Sequence, residues 1–501
     1  MSTKNKGVFF NNTLALFLLI VCFASIVRLI TLGSFETWAD EKMSVSEANG
    51  FVNYNFQEGK LFTGRELQTH NTVANVIASN VQGDGGNGIV YVLSLHYWTQ
   101  LLGNTDFATR MLSVILGVLV VVMAFLLALE MFGNRNLAFL IMVLMSVHPQ
   151  LITYSQEARA YMLALLFTLT ASFVLFKLVK QTVFTGSHLL LYSVLVAAGF
   201  LSHYSTIYIF AGHFVVLLFL FKISFRNWTR LFAYLFIAAA IIFIWMWKFG
   251  FEGLEVISKH NANYMQLSIN SPTNSFYMKT GFYSICAGWL QNIFTFSGNT
   301  LMWLGFQMRD LFYLLIIPFA LIVYLFRKAN VLQRHSIKIF SILILSSLIY
   351  ATFLSLISGH IISFQTNYSI FSTPYFVFCI GMSGFLIFHS KQNQGKYLIK
   401  VLFVVQIAIM LFSSGAIYRG LDSHEKEVNK FEKVVDEIKL VNPQEKGEFV
   451  VVYNKASIAI EMNKYLEHSL SNIKQTIQTN ESNPAVYLLF ENSGTRITVL
   501  N

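Results

Sequence analysis

Charge is what this sequence most lacks. Only 12% of its 501 residues are Asp, Glu, Lys or Arg, with 25 acidic residues against 35 basic. A soluble chain of this length needs a far more polar skin, so a solvated globular protein is excluded. Cysteine is nearly absent. Cys22, Cys286 and Cys379 lie in or beside apolar runs without ligand spacing, which argues against a disulfide framework and against a thiolate metal site. Six prolines and no low-complexity tract leave no room for a disordered linker. Apolar side chains fill the space instead: 55% of the residues are hydrophobic, and 48 are Phe. Uninterrupted runs of roughly 20 apolar residues, the length that spans a bilayer, recur as far as Tyr418.

The net charge of +10 would suit nucleic acid, but its placement argues against that partner. Helices are expected at about 11–32, 107–131, 136–152, 158–178, 187–203, 205–223, 230–248, 303–326, 337–358, 368–388 and 398–417, about eleven in all. With a cytoplasmic N-terminus, the inside connections carry Lys4, Arg135, Lys177, Arg226, Arg327 and Lys391 among other cations, and no acidic residue. The positive-inside rule is then met at every inside connection. The first run lacks a small-residue cleavage site, so it is expected to stay as a membrane helix. Counting 87–102 as a span would invert everything downstream. It is therefore expected to lie flat in the interface, with Tyr91, His96, Tyr97 and Trp98 at headgroup depth.

The resulting fold class is an all-α polytopic membrane protein with outer interfacial helices, followed by a small extracytoplasmic α/β domain. The membrane domain is expected over residues 1–419, with outer loops at about 33–106 and 249–302, and the tail domain over 420–501. The tail has nine basic and twelve acidic residues and no run of membrane length. Helical spacing over 424–441, a second helix at about 457–470, and the runs EFVVVY (448–453) and AVYLLF (485–490) make up that unit.

Because acidic residues are scarce, their positions carry information. Asp40 and Glu41, in TWADEKMS, fall just beyond the first helix on the outer side. Such a pair is often only a solvated loop. A second group is YSQEARAY, with Tyr154, Gln156, Glu157 and Arg159 wedged between two apolar runs after His148-Pro149. Charges at membrane depth are expensive and tend to be functional, although this pair of charges would also suit a structural bend. A third is LSHYS, with His203 and Tyr204 at another outer turn, where a satisfied interfacial histidine is the plainer reading. All three meet on one face. A transferase acting on a lipid-phosphate sugar needs this arrangement: a carboxylate to take a hydroxyl proton, and cations or donors for the departing phosphate. Asp40 with Glu157 is also an oxygen pair of the sort that holds a divalent cation, the one cofactor the residues suggest; no diagnostic spacing separates the two uses.

In this order the motifs resemble the membrane glycosyltransferases of the GT-C class, specifically the group containing the protein O-mannosyltransferases and the lipid A aminoarabinose transferase. Asp40-Glu41 is similar to the group's acidic pair. The stretch from Gly88 through HYWTQLLGNTDFATRMLSVILG resembles its interfacial helix and second membrane helix, YSQEARAY its SQEAR-like signature, and LSHYS its His-Tyr turn. The resemblance covers residues 36 to 225 and, beyond them, only the hydropathy pattern. It implies a multi-pass protein of a bacterial inner membrane that moves one sugar from a polyprenyl-phosphate carrier to a protein, lipid or glycan hydroxyl outside, with inversion. Asp40 would be the base, Glu41 and Glu157 would orient it or a cation, and Arg159 and His203 would help bind the carrier phosphate.

Two departures stand out. Relatives often place His or Lys before Pro-Pro ahead of the interfacial helix; this chain has GDGGNG, putting Asp84 and Asn87 in place of that substrate contact. Asn367 stands where Arg is expected, which would move an anion contact to Lys259, His260, Lys279 or Arg309. Two other classes remain. A ligase or polymerase would use a diphosphate carrier and an oligosaccharide, and a transporter would show internal repeats or charged mid-membrane helices, whereas here the two long loops are not repeated and the charges sit mostly at helix ends. The topology has its own test: a reporter fused after Lys391 should read as cytoplasmic and one at the C-terminus as external, and the opposite pattern would overturn the placement of the site.

Overall fold

A computed structural model of the chain describes residues 3–30, 32, 39–50, 59–63, 72–270, 278–299, 312–389, 397–420, 449–453, 474–478, 486–490 and 496–500. The elements run α1 (Thr3–Leu29), α2 (Ala39–Ala48), β1 (Phe62–Thr63), α3 (Val73–Asp84), α4 (Ile89–Leu102), α5 (Asp106–Phe132), α6 (Arg135–Val147), α7 (Pro149–Ser155) and α8 (Tyr161–Val179). They continue as α9 (Gly186–Ser202), α10 (Ile207–Leu220), α11 (Phe225–Trp245), α12 (Phe251–Asn270), α13 (Phe282–Phe296), α14 (Ile316–Lys328), α15 (Val331–Ser358), α16 (Thr373–His389) and α17 (Tyr397–Gly420). Strands β2 (Phe449–Tyr453), β3 (Lys474–Ile477), β4 (Val486–Phe490) and β5 (Arg496–Leu500) close the chain.

Each of the eleven expected spans has a helix at its place. Among the described residues six helices are long and apolar enough to cross a membrane, or up to seven when a bent pair counts as one span. The stretches Thr13–Leu29, Gly186–Ser202 and Tyr204–Leu220 are shorter apolar helices. Large apolar side chains point outward, with Phe219 73%, Phe236 74% and Phe243 62% exposed. In water these would be a liability; against acyl chains they are the natural surface, and the chain is a multi-pass membrane protein.

Helix ends follow local chemistry. Thr105 caps α5 by accepting the Ala108 N–H at 3.2 Å, and Gly133, at φ 61°, ends it in the left-handed conformation. Asn134 caps α6 by accepting the Leu137 N–H at 3.0 Å. The span expected at 136–152 is broken: α6 and α7 meet at an angle of 59°. The cause is Pro149, which lacks an N–H and forces His148 into an extended conformation at ψ 120°. The bend matters because it turns the chain toward the SQEAR segment.

A charge inside the first span is also accommodated. Arg28 is fully buried, and its guanidinium donates to Ser155 Oγ (3.1 Å) and to the carbonyls of Ala24 (3.1 Å), Ser146 (3.1 Å) and Met145 (3.3 Å). Gly117 permits this convergence, since a Cβ there would collide with Ser155 and crowd Arg28. α1, α6 and α7 are thereby clamped together, with α5 packed close at Gly117.

The described strands form one five-stranded sheet in the order β1-β3-β2-β4-β5. β2 and β3 run parallel and the other pairs antiparallel. β1 lies between α2 and α3 in the chain: Phe62 pairs with Gln475, Thr63 with Lys474, and Thr476 Oγ1 donates to the Lys60 carbonyl at 3.0 Å. The strand runs at 448–453 and 485–490 are β2 and β4. The helices expected at 424–441 and 457–470 lie outside the described residues.

Candidate active site

Asp40 and Glu41 open α2, adjacent in sequence and opposite in fate. Successive helical side chains point about 100° apart, so only one of them can face the same neighbour. Glu41 is fully buried against Arg110, also fully buried, with Nε to Oε1 at 2.9 Å and a second guanidinium nitrogen to Oε2 at 2.9 Å. Its Oε1 also accepts the Ala158 N–H at 2.8 Å, while Arg110 donates to the Leu32 carbonyl at 3.1 Å. Such a forked, doubly charged hydrogen bond is strong and directional.

Asp40 faces the other way, and its side chain is 40% exposed. Its carboxylate lies 3.9 Å from the Arg159 guanidinium. Arg159 is nearly buried and shared among three groups: it donates to the Asp40 carbonyl at 3.2 Å, to Ser44 Oγ at 2.9 Å and to Asp84 Oδ2 at 3.1 Å. The same guanidinium carbon sits 5.7 Å from the Tyr161 ring centroid. Burial raises the Asp40 pKa above the ordinary aspartate range, Arg159 opposes the rise, and the Asp84 and Glu41 charges add to it.

The glycine-rich segment is a built turn rather than a gap. Gly85, Gly86 and Gly88 have φ of 64°, 78° and 79°, a conformation other residues adopt only with strain. Gly253 of α12 also approaches so closely that a Cβ on it would strike the Gly85 carbonyl. The turn sends Asp84 to Arg159 and Asn87 to the His-Tyr turn, where Asn87 Oδ1 accepts the Tyr204 N–H at 2.9 Å. Tyr204 closes the loop, its hydroxyl donating to the Gly85 carbonyl and accepting from Trp245 Nε1, both at 3.3 Å.

The other candidate residues divide. His203 is buried among Tyr161, Tyr368 and Phe371, with ring centroids at 5.6, 6.0 and 5.4 Å. Burial pushes its pKa down to about 3, helped by Arg159, so it is a neutral imidazole. Its Nδ1 accepts the Ser205 N–H at 3.2 Å, which assigns the ring proton to Nε2. Tyr154 is tied to Thr366 Oγ1 at 2.8 Å, and Gln156 to the carbonyls of Arg28 (3.1 Å) and Ile30 (3.0 Å). Both hold the frame. Glu157 has a buried Oε2 without a hydrogen-bond partner, and burial with the Glu41 and Asp40 charges pushes its pKa well above the ordinary range. Among the described residues no three His, Cys, Asp or Glu groups gather to hold a metal, and the cation beside Asp40 is Arg159.

Four participants were not singled out from the sequence: Arg110, Ser44, Glu47 and Asn80. Ser44 and Glu47 follow Asp40 by four and seven positions, a helical spacing that was there to be read. Arg110 had a signal too, as a cation inside an apolar run. Of the sites suggested for a displaced anion contact, Lys259 pairs with Glu255 at 2.7 Å on the surface, and Arg309 lies outside the described residues.

Residues 94–258 match the family described as dolichyl-phosphate-mannose-protein mannosyltransferase. The whole fold is similar to ArnT from Cupriavidus metallidurans bound to undecaprenyl phosphate, at TM-score 0.51 and 10% identity, over 90% of this chain and 84% of that one. The apo form of the same protein gives TM-score 0.50 at 10% identity, with the same coverage of both chains. The archaeal oligosaccharyltransferase AglB from Archaeoglobus fulgidus aligns at TM-score 0.42 and 13% identity, over 86% of this chain and 58% of that one. A comparison with curated proteins gave no match. The protein is thus a multi-pass membrane protein whose fold is similar to that of ArnT, the fold of the GT-C class. Its residues 94–258 are similar to the protein mannosyltransferase family, and its fold to that of ArnT.

The acidic pair separates by experiment. Glu41→Ala strands Arg110 in the interior and should cost about 3–5 kcal/mol. Asp40→Asn removes only a half-open contact, worth at most about 1 kcal/mol. Thermal unfolding in detergent should therefore drop sharply for the first variant and hardly move for the second; equal losses would contradict this division.

Proposed function

We propose that the protein transfers a single sugar from a polyprenyl-phosphate carrier to an acceptor hydroxyl on the extracytoplasmic face of a bacterial inner membrane, with inversion. One observation carries the reading: a half-open carboxylate, Asp40, sits beside the shared cation Arg159, on a fold of the GT-C class. The family that residues 94–258 match is described by a polyprenyl-phosphate sugar donor, which supports the same donor class.

In this reaction the acceptor oxygen attacks the anomeric carbon from the side opposite the phosphate. The new C–O bond forms as the bond to the phosphate oxygen breaks, and the carrier phosphate leaves with that electron pair. The acceptor proton passes to Asp40. A single displacement inverts the anomeric centre. The phosphate is a good leaving group and needs no catalytic acid, only a cation and hydrogen-bond donors. Arg159 is that cation, and His203 Nε2 is a neutral donor within the same cluster. Glu41 acts through position: fixed by Arg110 and Ala158, it sets where Asp40 stands.

The base must be ionised to work, so the rate should fall as pH drops through the Asp40 pKa. Burial has moved that limb above the ordinary aspartate range and Arg159 holds it back. Removing the cation in Arg159→Gln should therefore move the acid limb of kcat/KM to higher pH, and a limb that stays or moves lower would refute Asp40 as the titrating base.

Mass spectrometry of membrane lipids tests the reaction itself. A null strain, and the same strain carrying Asp40→Asn, should accumulate a polyprenyl-monophosphate monosaccharide that wild type consumes. Accumulation of a diphosphate-linked oligosaccharide would favour a glycan ligase. Unchanged pools, or full complementation by Asp40→Asn, would sink the proposal.

A further inference from the structure

A second acid lies behind the site and has no part in the chemistry above. Glu47 is fully buried on α2, seven residues after Asp40 and three after Ser44, and thus on the same side of the helix. Its Oε2 accepts from Asn80 Nδ2 at 2.9 Å, and its Oε1 has no hydrogen-bond partner. Asn80 is the hub of the glycine turn. Its side-chain amide also donates to the Asn87 carbonyl at 2.8 Å, and its backbone carbonyl receives the Gly86 N–H at 3.1 Å. Gly83 completes the seat, because a Cβ there would overlap Glu47 Oε1.

We infer that Glu47 is a positioning residue of the transfer site: through Asn80 it holds the glycine turn that delivers Asp84 to Arg159 and Asn87 to the Tyr204 backbone. The inference rests on the transferase reading for its catalytic consequence, but not for the hold on the turn. The setting of Glu47 favours its neutral form, because Oε1 has no hydrogen-bond donor to hold a charge. The titratable groups facing it are Asp40 on its own helix, Asp84 at the end of α3 and Arg159 from the turn before α8, while His96 on α4 is engaged with the Ala48 carbonyl at 2.9 Å. Burial and the Asp84 charge push its pKa well above the ordinary range, opposed by the Asn80 hydrogen bond and Arg159. An ionised Glu47 would place an unpartnered anionic oxygen in a sealed space beside Asp84, and that charge would drive the turn away. The site then has an alkaline limit set by Glu47, separate from the acid limit set by Asp40.

The test uses the full-length protein in detergent, with the carrier-lipid fraction extracted from null cells as donor, and compares Glu47→Gln, Glu47→Ala and Gly83→Ala. The amide variant keeps the size of the side chain and the acceptor for Asn80. It should transfer within about threefold of wild type at neutral pH and should not show the alkaline decline that wild type shows. The alanine variants should lose transfer by about 10- to 100-fold, the scale of a misplaced contact group. Hydrogen exchange at Gly85 and Gly86 should quicken in both alanine variants and stay slow in Glu47→Gln. That readout needs no substrate. If the transferase reading fails, Asp40→Asn retains transfer while the exchange result still reports on Glu47. Wild-type transfer and unchanged exchange in Glu47→Ala would overturn the inference, as would a Glu47→Gln variant as defective as Glu47→Ala.

Discussion

The buried pair between Glu41 and Arg110 is the contact on which the candidate site depends. It joins four pieces of chain: the start of α2, the N-terminal part of α5, the Leu32 carbonyl beyond α1 and the Ala158 amide before α8. Removing two charges from water is costly, and such pairs often add little net stability. This one has the geometry that recovers most of the cost, with two parallel charged hydrogen bonds and a third from the backbone. Its value lies in specificity. A forked pair admits one orientation, so the residue before Glu41 in the chain has only one place to go.

That residue is Asp40, and the helix extends the arrangement. With Glu41 turned inward, Asp40, Ser44 and Glu47 line the side that meets Arg159 and the glycine turn. Arg159 is drawn down by Ser44 and Asp84 as much as by Asp40, so its guanidinium is braced rather than free to swing. The SQEAR segment works as a bracket around it. Gln156 anchors the segment to the end of α1, Ala158 lends its amide to Glu41, and Arg159 faces the opening. The Pro149 bend aims that bracket, which links a backbone property in the membrane to electrostatics at its surface.

The membrane part was legible because a bilayer leaves few choices. Every span needs roughly 20 apolar residues, and lysines and arginines mark the connections. The helix α4 was legible as an element, and its interfacial placement follows from parity, since a span there would reverse every later connection. Tertiary pairing was not. Arg110 lies in an apolar run, and nothing local says that its partner is sixty-nine residues away at Glu41. GDGGNG looked like the loss of a contact; its three left-handed glycines make it a turn that delivers two new ones, and the need for them comes partly from Gly253 on a distant helix. The short strands β1, β3 and β5 escaped because two to five residues without a strong apolar alternation give no periodic signal.

Under the transferase reading, the sharing of Arg159 bears on how the base works. Four carboxyl groups, from Asp40, Glu47, Asp84 and Glu157, surround a single guanidinium. Two of them, Glu47 and Glu157, are driven toward the neutral form by burial, which keeps the local field from becoming prohibitive for an anionic donor. Arg159 at rest lowers the proton affinity of Asp40 against the larger opposing effect of burial. A phosphate that engages the same guanidinium competes for its charge and adds a negative charge nearby, and both effects raise the proton affinity of Asp40. The base therefore strengthens when the donor is in place, and the cation that receives the leaving group also sets the timing of proton removal.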